Sequence, residues 1–177
     1  MITSDLSIIR ERLIQGELIG LPTETVYGLA ANVFNSNAVS SIFKTKNRPT
    51  SNPLIVHVAS LSQARALVKH FPEKAEQLAQ AFWPGPLTLI LPKNKSVSQL
   101  VTANQENVAI RIPNHPTALS LLNQLDFPLV APSANPASRK SFGMSNRTSS
   151  AVLATVGIIR IASARAPIRP VRSPVTG

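Results

Sequence analysis

In Leu21-Pro-Thr-Glu-Thr-Val-Tyr-Gly28, hydroxyl groups and a carboxylate follow directly after a short apolar run. Two further segments bring ligand-type groups close to apolar runs: Lys44-Thr-Lys-Asn-Arg-Pro49 holds three cations, and Leu54-Ile-Val-His-Val58 holds a histidine. Open α/β sheets collect such groups at the ends of their strands. The pattern therefore predicts an α/β protein that binds an anionic, phosphate-bearing ligand.

Length and composition predict one aliphatic globular domain. The 177 residues are 44% hydrophobic and 5% aromatic, which allows a substantial core and argues against disorder. The chain has no cysteine, which excludes disulfides and thiolate metal sites and suits a reducing cytosol. Charged residues from Asp5 to Arg12 argue against a signal peptide, and no apolar run reaches the roughly 20 residues that span a bilayer. We expect a cytoplasmic protein without membrane contact.

Apolar spacing and turn residues predict alternating helices and strands. The first predicted helix follows an N-cap at Ser4 and ends before Gly16; the others cover 36–45, 60–69, 72–82 and 117–125. Ser60 is expected to cap its helix, and Pro72 to be the first residue of the next. The predicted strands are 18–21, 54–58, 87–91, 108–112 and 129–131. Since helices and strands interleave without a repeat, the fold class is α/β with an open sheet.

The formal net charge of +10 comes mostly from the C-terminal part of the chain. Residues 1–136 hold eleven Lys and Arg against eight acidic residues, whereas 137–177 hold seven cations and no acid. Two interpretations are open: a basic tail that contacts nucleic acid, or sequence not matched to the preceding fold, such as a shifted reading frame. The second is favoured, because a tail that binds RNA is usually richer in Lys and Gly and less apolar.

Three cations cluster at the predicted C-terminus of the second helix. Lys44, Lys46 and Arg48 either compensate the helix dipole, which is common and worth only tenths of a kcal/mol, or clamp a phosphate. In a clamp, Arg supplies a fixed fork of donors and Lys a mobile point charge. Asn52 adds a neutral donor to such a site, although Asn-Pro is also an ordinary turn.

His57 and Arg111 each interrupt an apolar strand. A single histidine in a strand is more often structural than a ligand-binding residue, and no second His or Cys stands at the spacing of a zinc site, so no protein-held metal is expected. Arg111 points away from its neighbours Ile110 and Ile112. It faces either solvent or a polar cavity that holds a carboxylate or phosphate.

Two loops carry hydroxyl and amide groups next to strand ends. Thr25 belongs to the turn after the first strand, and Ser133 and Asn135 follow the last predicted strand. Such residues are common in turns as well as in ligand sites. The chain has neither a Gly-rich phosphate loop nor a dinucleotide fingerprint, and no acid has an evident partner for a Ser-His-Asp arrangement.

Six segments together resemble, in order, the motifs of the YrdC-like family, the threonylcarbamoyl-AMP synthases. They are Leu21-Pro-Thr-Glu-Thr-Val-Tyr-Gly-Leu29, Lys46-Asn-Arg-Pro49, Asn52-Pro-Leu-Ile-Val-His57, Trp83-Pro-Gly-Pro-Leu-Thr-Leu89, Val108-Ala-Ile-Arg-Ile-Pro113 and Ala131-Pro-Ser-Ala-Asn135. The resemblance covers about residues 8–136. Each motif alone is weak, whereas the ordered set is highly specific.

The resemblance implies a twisted open mixed sheet with flanking helices and a concave basic cavity. It implies a nucleotidyltransferase that condenses L-threonine, bicarbonate and ATP into threonylcarbamoyl-AMP and releases pyrophosphate. Mg²⁺ would accompany the ATP. The proteins of a tRNA threonylcarbamoyl-transfer complex would then pass the group to an adenosine of tRNA.

Site residues are also implied by the resemblance, position by position. The residues that it assigns to threonine are Thr25, His57 and Arg111. The residues that it assigns to ATP are Lys46, Arg48, Asn52, Ser133, Asn135 and Ser141, of which Lys46 and Arg48 are the expected catalytic residues. Adenylation needs positioned reactants and cations where phosphate charge develops, so no covalent intermediate with the enzyme is expected.

Beyond Asn135 the sequence departs from the family's pattern. Ser138-Arg-Lys-Ser141 lacks the Pro-Thr that usually follows, and the later Asp-Gly-Gly, Glu-Ser-Thr and Arg-Pro-Gly elements are absent. We therefore predict a YrdC-like catalytic domain at 1–141 that is incomplete at its C-terminal end, and a basic tail at 142–177. The alternatives are an inactive, truncated family member and an RNA-binding module that uses the basic concave face and the Arg-rich tail.

Overall fold

The computed structural model describes residues 5–134 and the backbone of Ile158–Arg160. Five α-helices lie in these residues: α1 (Leu6–Ile14), α2 (Ser36–Thr45), α3 (Leu61–Ala66), α4 (Glu73–Phe82) and α5 (Pro116–Asn123). The strands there are β1 (Ile19–Leu21), β2 (Gly28–Asn32), β3 (Ile55–His57), β4 (Thr88–Pro92), β5 (Asn107–Arg111), β6 (Leu129–Val130) and β7 (Ile158–Arg160). None of the described helices is long and apolar enough to cross a membrane.

One mixed sheet of seven strands, in the order β1-β2-β6-β3-β5-β4-β7, organises the described residues. The pairs β3–β5 and β4–β7 are parallel, and the other neighbours are antiparallel. The predicted fold class, an α/β protein with an open mixed sheet and flanking helices, is confirmed. Sequential strands are rarely neighbours, so residues distant in sequence meet at the strand ends.

Strand β2 was not predicted, and its residues explain why. Its sequence Gly-Leu-Ala-Ala-Asn has none of the β-branched or aromatic residues that favour strands. The strand forms because it pairs on both sides, Ala30 with Ile19 of β1 and Ala31 with Val130 of β6. Tertiary pairing here overrides local propensity.

The helix starts follow capping rules with two changes from prediction. The predicted cap Ser4 lies outside the described residues; Asp5 caps α1 by accepting a hydrogen bond from the backbone N–H of Ser7 at 2.9 Å. Ser60 caps α3 as predicted, whereas Pro72 is the N-cap of α4 rather than its first residue.

Helix α3 is shorter than the predicted 60–69 and ends at Ala66. Val68 instead forms an isolated antiparallel β-bridge with Lys93. The chain leaves the helix because this bridge joins it to the segment after β4. Pairing with a distant segment again decides a boundary that local sequence leaves open.

The sheet has one fully packed face and one partly open face. Val56, Leu89 and Ile110 are completely buried in the larger core cluster, which also includes apolar residues of α2, α3 and α4. A second cluster packs residues of α1 and α5 against Leu129 and its neighbours. The alternate residues of β3, β4 and β5 point the other way, so they are available to a cavity.

Strand β7 pairs in parallel with β4, with Ile158 opposite Thr88. Three residues of the predicted tail 142–177 therefore extend the sheet beyond β4. The predicted boundary at residue 141 lies outside the described residues and stays a prediction.

Candidate active site

A cavity of about 700 Å³ opens on the partly open face of the sheet. His57 and Arg111, the last residues of the parallel strands β3 and β5, line it side by side. The turn after β1, the loop before β3 and the segment after β6 supply its other walls. The predicted gathering of ligand-type groups at strand ends is therefore present.

Six of the nine predicted site residues line this one cavity: Thr25, Arg48, Asn52, His57, Arg111 and Ser133. Lys46 is described but is not among the lining residues. Asn135 and Ser141 lie outside the described residues.

Arg111 is buried in the cavity wall with its guanidinium fixed from three directions. Its Nη2 lies 2.6 Å from Oε1 of Glu24, and its Nη1 donates to Oγ1 of Thr25 at 3.5 Å. Its Nε donates to the carbonyl oxygen of Gly85 at 3.0 Å. Of the two environments that the sequence left open for Arg111, the structure shows the polar cavity.

The turn after β1 presents Glu24 and Thr25 to Arg111. Oγ1 of Thr23 accepts from the backbone N–H of Val26 at 3.2 Å and donates to its carbonyl oxygen at 2.6 Å, which closes the turn. Burial raises the pKa of Glu24, but hydrogen bonds from Arg111 and the backbone outweigh it, so the pKa lies below its usual value. Glu24 is therefore a carboxylate at neutral pH.

The turn before β4 holds the other side of Arg111. The backbone N–H of Gly85 donates to the carbonyl oxygen of Ile112 at 2.9 Å, so the Gly85 carbonyl is placed for the guanidinium. A Cβ at this position would collide with the backbone oxygen of Phe82. Glycine is therefore required here for steric reasons.

His57 is a neutral, buried imidazole beside that guanidinium. It is only 3% exposed, and its Nδ1 has no hydrogen-bond partner among the described residues. Burial and the positive charge of Arg111 lower the pKa of His57 from 6.5 to about 4. The imidazole is therefore uncharged at neutral pH.

Arg48 reaches the opposite part of the cavity from the end of α2. The helix closes with a Schellman motif, in which Asn47 has a φ of +47° and the N–H of Arg48 bonds the carbonyl of Phe43 at 2.9 Å. The guanidinium then donates to the carbonyl oxygens of Asn52 at 3.3 Å and Pro53 at 3.1 Å. The loop before β3 and Arg48 thus position each other.

Lys46 is the C-cap of α2 and is only 7% exposed. Burial and the nearby charge of Arg48 lower its pKa. The cations that the sequence grouped are therefore divided: Arg48 lines the cavity and Lys46 is covered. The catalytic role predicted for Lys46 stays a prediction.

Ser133 closes the cavity next to the turn after β1. It forms an isolated bridge with Gly28, and the N–H of Leu29 bonds the carbonyl of Pro132 at 2.9 Å. A Cβ on Gly28 would lie 3.0 Å from Cβ of Ala131, so the two segments approach closely because residue 28 has no side chain. This contact places Ser133 beside the start of β2.

Two residues of the site were not among the predicted site residues: Glu24, which pairs with Arg111, and Thr88, which lines the cavity. Glu24 was seen only as part of a turn, and Thr88 only as part of a motif. A threonine between two leucines of a buried strand is the sequence signal that was available for Thr88. Its position opposite the other site residues depends on the sheet register, which the sequence does not show.

No group of three or more His, Cys, Asp or Glu able to hold a metal ion occurs in the part of the chain that the structure describes. The charged groups that line the cavity there are arginines, accompanied by hydroxyls and an amide. This set of donors suits phosphate and carboxylate oxygens.

Comparisons with known proteins show the family of this chain. A family model described as telomere recombination, and named for Sua5, YciO and YrdC, matches residues 11–167. The chain belongs to this family. The match extends beyond the last motif recognised in the sequence, so part of the segment that departs from the motif pattern falls inside it.

Relatives of this chain include two threonylcarbamoyl-AMP synthases. The one from Pyrococcus abyssi is 52% identical over 121 residues, which are 68% of this chain and 36% of that protein. The one from Marinobacter nauticus is 35% identical over 136 residues, covering 76% of this chain and 72% of that protein. The chain thus spans about a third of the length of the Pyrococcus relative.

A solved structure resembles this fold over about three quarters of the chain. The crystal structure of Pyrococcus abyssi Sua5 complexed with L-threonine has a TM-score of 0.73 and 48% sequence identity to this chain. The alignment covers 76% of this chain and 40% of that one.

Proposed function

We propose that this chain binds L-threonine and ATP in the cavity and, with bicarbonate, forms threonylcarbamoyl-AMP, pyrophosphate and water. The observation that carries the proposal is that six residues assigned to the two substrates line one cavity. The complex of a 48% identical relative with L-threonine supports the choice of amino acid. Two relatives are named for this product.

The surroundings of Arg111 suit a zwitterionic amino acid. A buried guanidinium and a carboxylate, that of Glu24, stand 2.6 Å apart and present opposite charges side by side. The carboxylate of threonine pairs with Arg111, and its ammonium group is attracted to Glu24. Thr25 and the neutral ring of His57 supply hydrogen bonds without adding charge.

The surroundings of Arg48 suit a triphosphate. Arg48 presents a planar fork of donors, and Asn52 and Ser133 add neutral hydrogen-bonding groups. The reaction makes a mixed anhydride, for which the protein supplies alignment and cations that stabilise the developing phosphate charge. Lys46 is proposed to act with Arg48, as the resemblance implies.

Mg²⁺ is proposed to enter with ATP, held largely by phosphate oxygens. The product is proposed to serve the threonylcarbamoyladenosine modification of tRNA through partner proteins in the cytoplasm. The resemblance supports these assignments, and they are tested after the binding of the two substrates.

The decisive experiment has two parts. Isothermal titration with threonine and with ATP measures binding, and pyrophosphate release with and without bicarbonate measures turnover. We expect binding of both ligands and bicarbonate-dependent release. Binding of threonine without pyrophosphate release would identify an inactive family member, and failure to bind threonine would reject the proposal.

A further inference from the structure

Thr88, the first residue of β4, is a polar residue at a completely buried position. Its exposed fraction is 0%, it lines the cavity, and its Oγ1 has no hydrogen-bond partner among the described residues. A buried hydroxyl without a partner is unfavourable, and valine would fill nearly the same volume without that penalty. Thr88 is therefore a buried polar group in the cavity wall that the described residues leave without a hydrogen-bond partner.

The sheet register places Thr88 beside Arg111. In the β4–β5 ladder Leu89 pairs with Ile110, so the preceding position sets Thr88 opposite Arg111; in the β3–β5 ladder His57 pairs with Arg111. Neighbouring strands lie about 4.8 Å apart, so the three residues form one row of about 10 Å across the cavity floor. The guanidinium stands in the middle of this row.

Both ends of the row carry a buried polar atom without a partner among the described residues. These atoms are Oγ1 of Thr88 and Nδ1 of His57. The guanidinium between them is held by Glu24, Thr25 and Gly85, so its position is set before a ligand arrives. A ligand whose carboxylate reaches Arg111 has further polar atoms within reach of both ends.

We propose that Thr88 is a substrate-binding residue whose hydroxyl hydrogen-bonds the amino acid held at Arg111. This inference rests on the function proposed above and adds a residue to its amino-acid site. The nucleotide is not the expected partner of Thr88, because the groups assigned to phosphate, Arg48 and Asn52, belong to the loop before β3. Thr88 belongs to the row of His57 and Arg111.

The experiment compares Thr88→Val, which removes the hydroxyl, with Thr88→Ser, which keeps it. Titration calorimetry gives the Kd for threonine and for ATP, and thermal unfolding without ligand gives the stability. We expect Thr88→Val to raise the Kd for threonine about tenfold, to leave that for ATP within about twofold, and to leave Tm unchanged or raised. The Kd of Thr88→Ser for threonine should stay within about threefold of that of the unchanged protein.

Thr102→Val is a matched control. Thr102 is equally buried at 1% exposure, but its Oγ1 donates to the carbonyl of Gln105 at 2.9 Å, and it does not line the cavity. Removing the Thr102 hydroxyl, and with it this hydrogen bond, should lower Tm and leave the Kd for threonine unchanged. The two substitutions are therefore expected to differ in both measurements. Thr88→Val should raise the Kd for threonine without lowering Tm, whereas Thr102→Val should lower Tm without changing that Kd.

Each outcome decides one question. If the unchanged protein binds no threonine, the proposed function and this inference both fail. If the unchanged protein binds threonine and Thr88→Val binds it equally well, or loses threonine and ATP to the same extent, only the inference about Thr88 fails. Should Thr88→Val fail to fold, Thr88→Ala makes the same comparison with Thr88→Ser.

Discussion

Two arginines line the same cavity in very different surroundings. Arg111 has a side chain that is 5% exposed and forms an ion pair with Glu24. Arg48 is half-buried and donates to the backbone carbonyls of Asn52 and Pro53. In the described part of the chain, no acidic side chain lies within ion-pair distance of Arg48.

The two arginines therefore differ in whether a neighbouring acidic group balances their positive charge. Carbonyl oxygens orient a guanidinium but carry no net charge, so Arg48 keeps its full positive charge for a ligand. Arg111 is balanced by Glu24, which makes its surroundings neutral overall. A zwitterion fits the balanced surroundings and a polyphosphate fits the unbalanced ones, so the cavity can hold both without bringing two anions to one cation.

The largest effect is expected from Arg48→Ala. Removing a cation that stabilises transition-state charge typically lowers turnover by about 10²–10³-fold. The fold should lose only about 1 kcal/mol, because the lost contacts are hydrogen bonds to carbonyls. Pyrophosphate release and urea unfolding measure the two quantities.

Two variants control for charge and for general effects. Arg48→Lys keeps the charge but loses the fork of donors, so it should recover part of the turnover. Arg65→Ala removes an arginine that pairs with Glu76 at the surface, away from the cavity, and should not change turnover. Full activity in Arg48→Ala would contradict the assignment of Arg48 to phosphate.

The pH dependence of stability tests whether His57, beside Arg111, is held neutral in the folded protein. Its pKa falls from an ordinary value of 6.5 to about 4 on folding, so between these values the unfolded chain binds a proton that the folded chain does not. Stability should therefore fall on acidification from 6.5 towards 4, by at most about 1.4 kcal/mol per pH unit. Urea unfolding at several pH values measures this slope.

The control for this slope is His57→Gln. In this variant the stability should depend less on pH between about pH 6.5 and 4.5, since the glutamine does not titrate. Below about 4.5 both proteins should lose stability, because the lowered pKa of Glu24 gives stability that disappears as its carboxylate is protonated. Equal slopes in the two proteins above that pH would show that His57 is not held neutral.

The sequence predicted more of the surroundings of Arg48 than of those of Arg111. Arg48 and Asn52 lie a few residues apart, so their cluster was visible along the chain, and α2 and β3 were predicted on both sides of them. The pairing of Arg111 with Glu24 joins the end of β5 to the turn after β1 and was not predicted. It depends on the order of the strands in the sheet, which long-range packing sets.

Another difference between sequence and structure concerns burial. Lys46 and Arg48 looked equivalent in sequence, yet Lys46 is covered and Arg48 lines the cavity. The two residues differ because Lys46 is the C-cap of the helix, and Asn47 then turns the chain before Arg48. Whether a side chain faces a cavity thus depended on one backbone conformation that the pattern of charges does not reveal.

Glu24→Gln is expected to have an intermediate effect on stability. The substitution keeps a hydrogen-bonding group but leaves the guanidinium of Arg111 buried without a counter-charge, which costs about 1–2 kcal/mol after allowance for the 22% exposure of the Glu24 side chain. Urea unfolding measures this cost. Threonine, if it binds as a zwitterion, should bind several-fold more weakly, whereas ATP should be unaffected.

A matched variant isolates the buried pair. Glu17 forms an ion pair with Arg12 at 2.9 Å in which both side chains are well exposed, so Glu17→Gln should change stability by less than about 0.5 kcal/mol. An equal effect of the two substitutions would mean that Arg111 does not depend on Glu24.

The smallest effect is expected at Asn47, which sets the position of Arg48 through the backbone alone. Its φ of +47° suits Gly and Asn but is strained for other residues, so Asn47→Ala should lower the free energy of unfolding by about 1 kcal/mol and Asn47→Gly by almost nothing. The strain acts on the turn that carries Arg48, so ATP binding should weaken in the Ala variant. Threonine binding should stay unchanged, because Arg111 is held by contacts from Glu24 and Gly85 that do not involve this turn. Parallel titrations with the two ligands measure this separation, and a loss of threonine affinity in Asn47→Ala would show that the two arginines are not positioned independently.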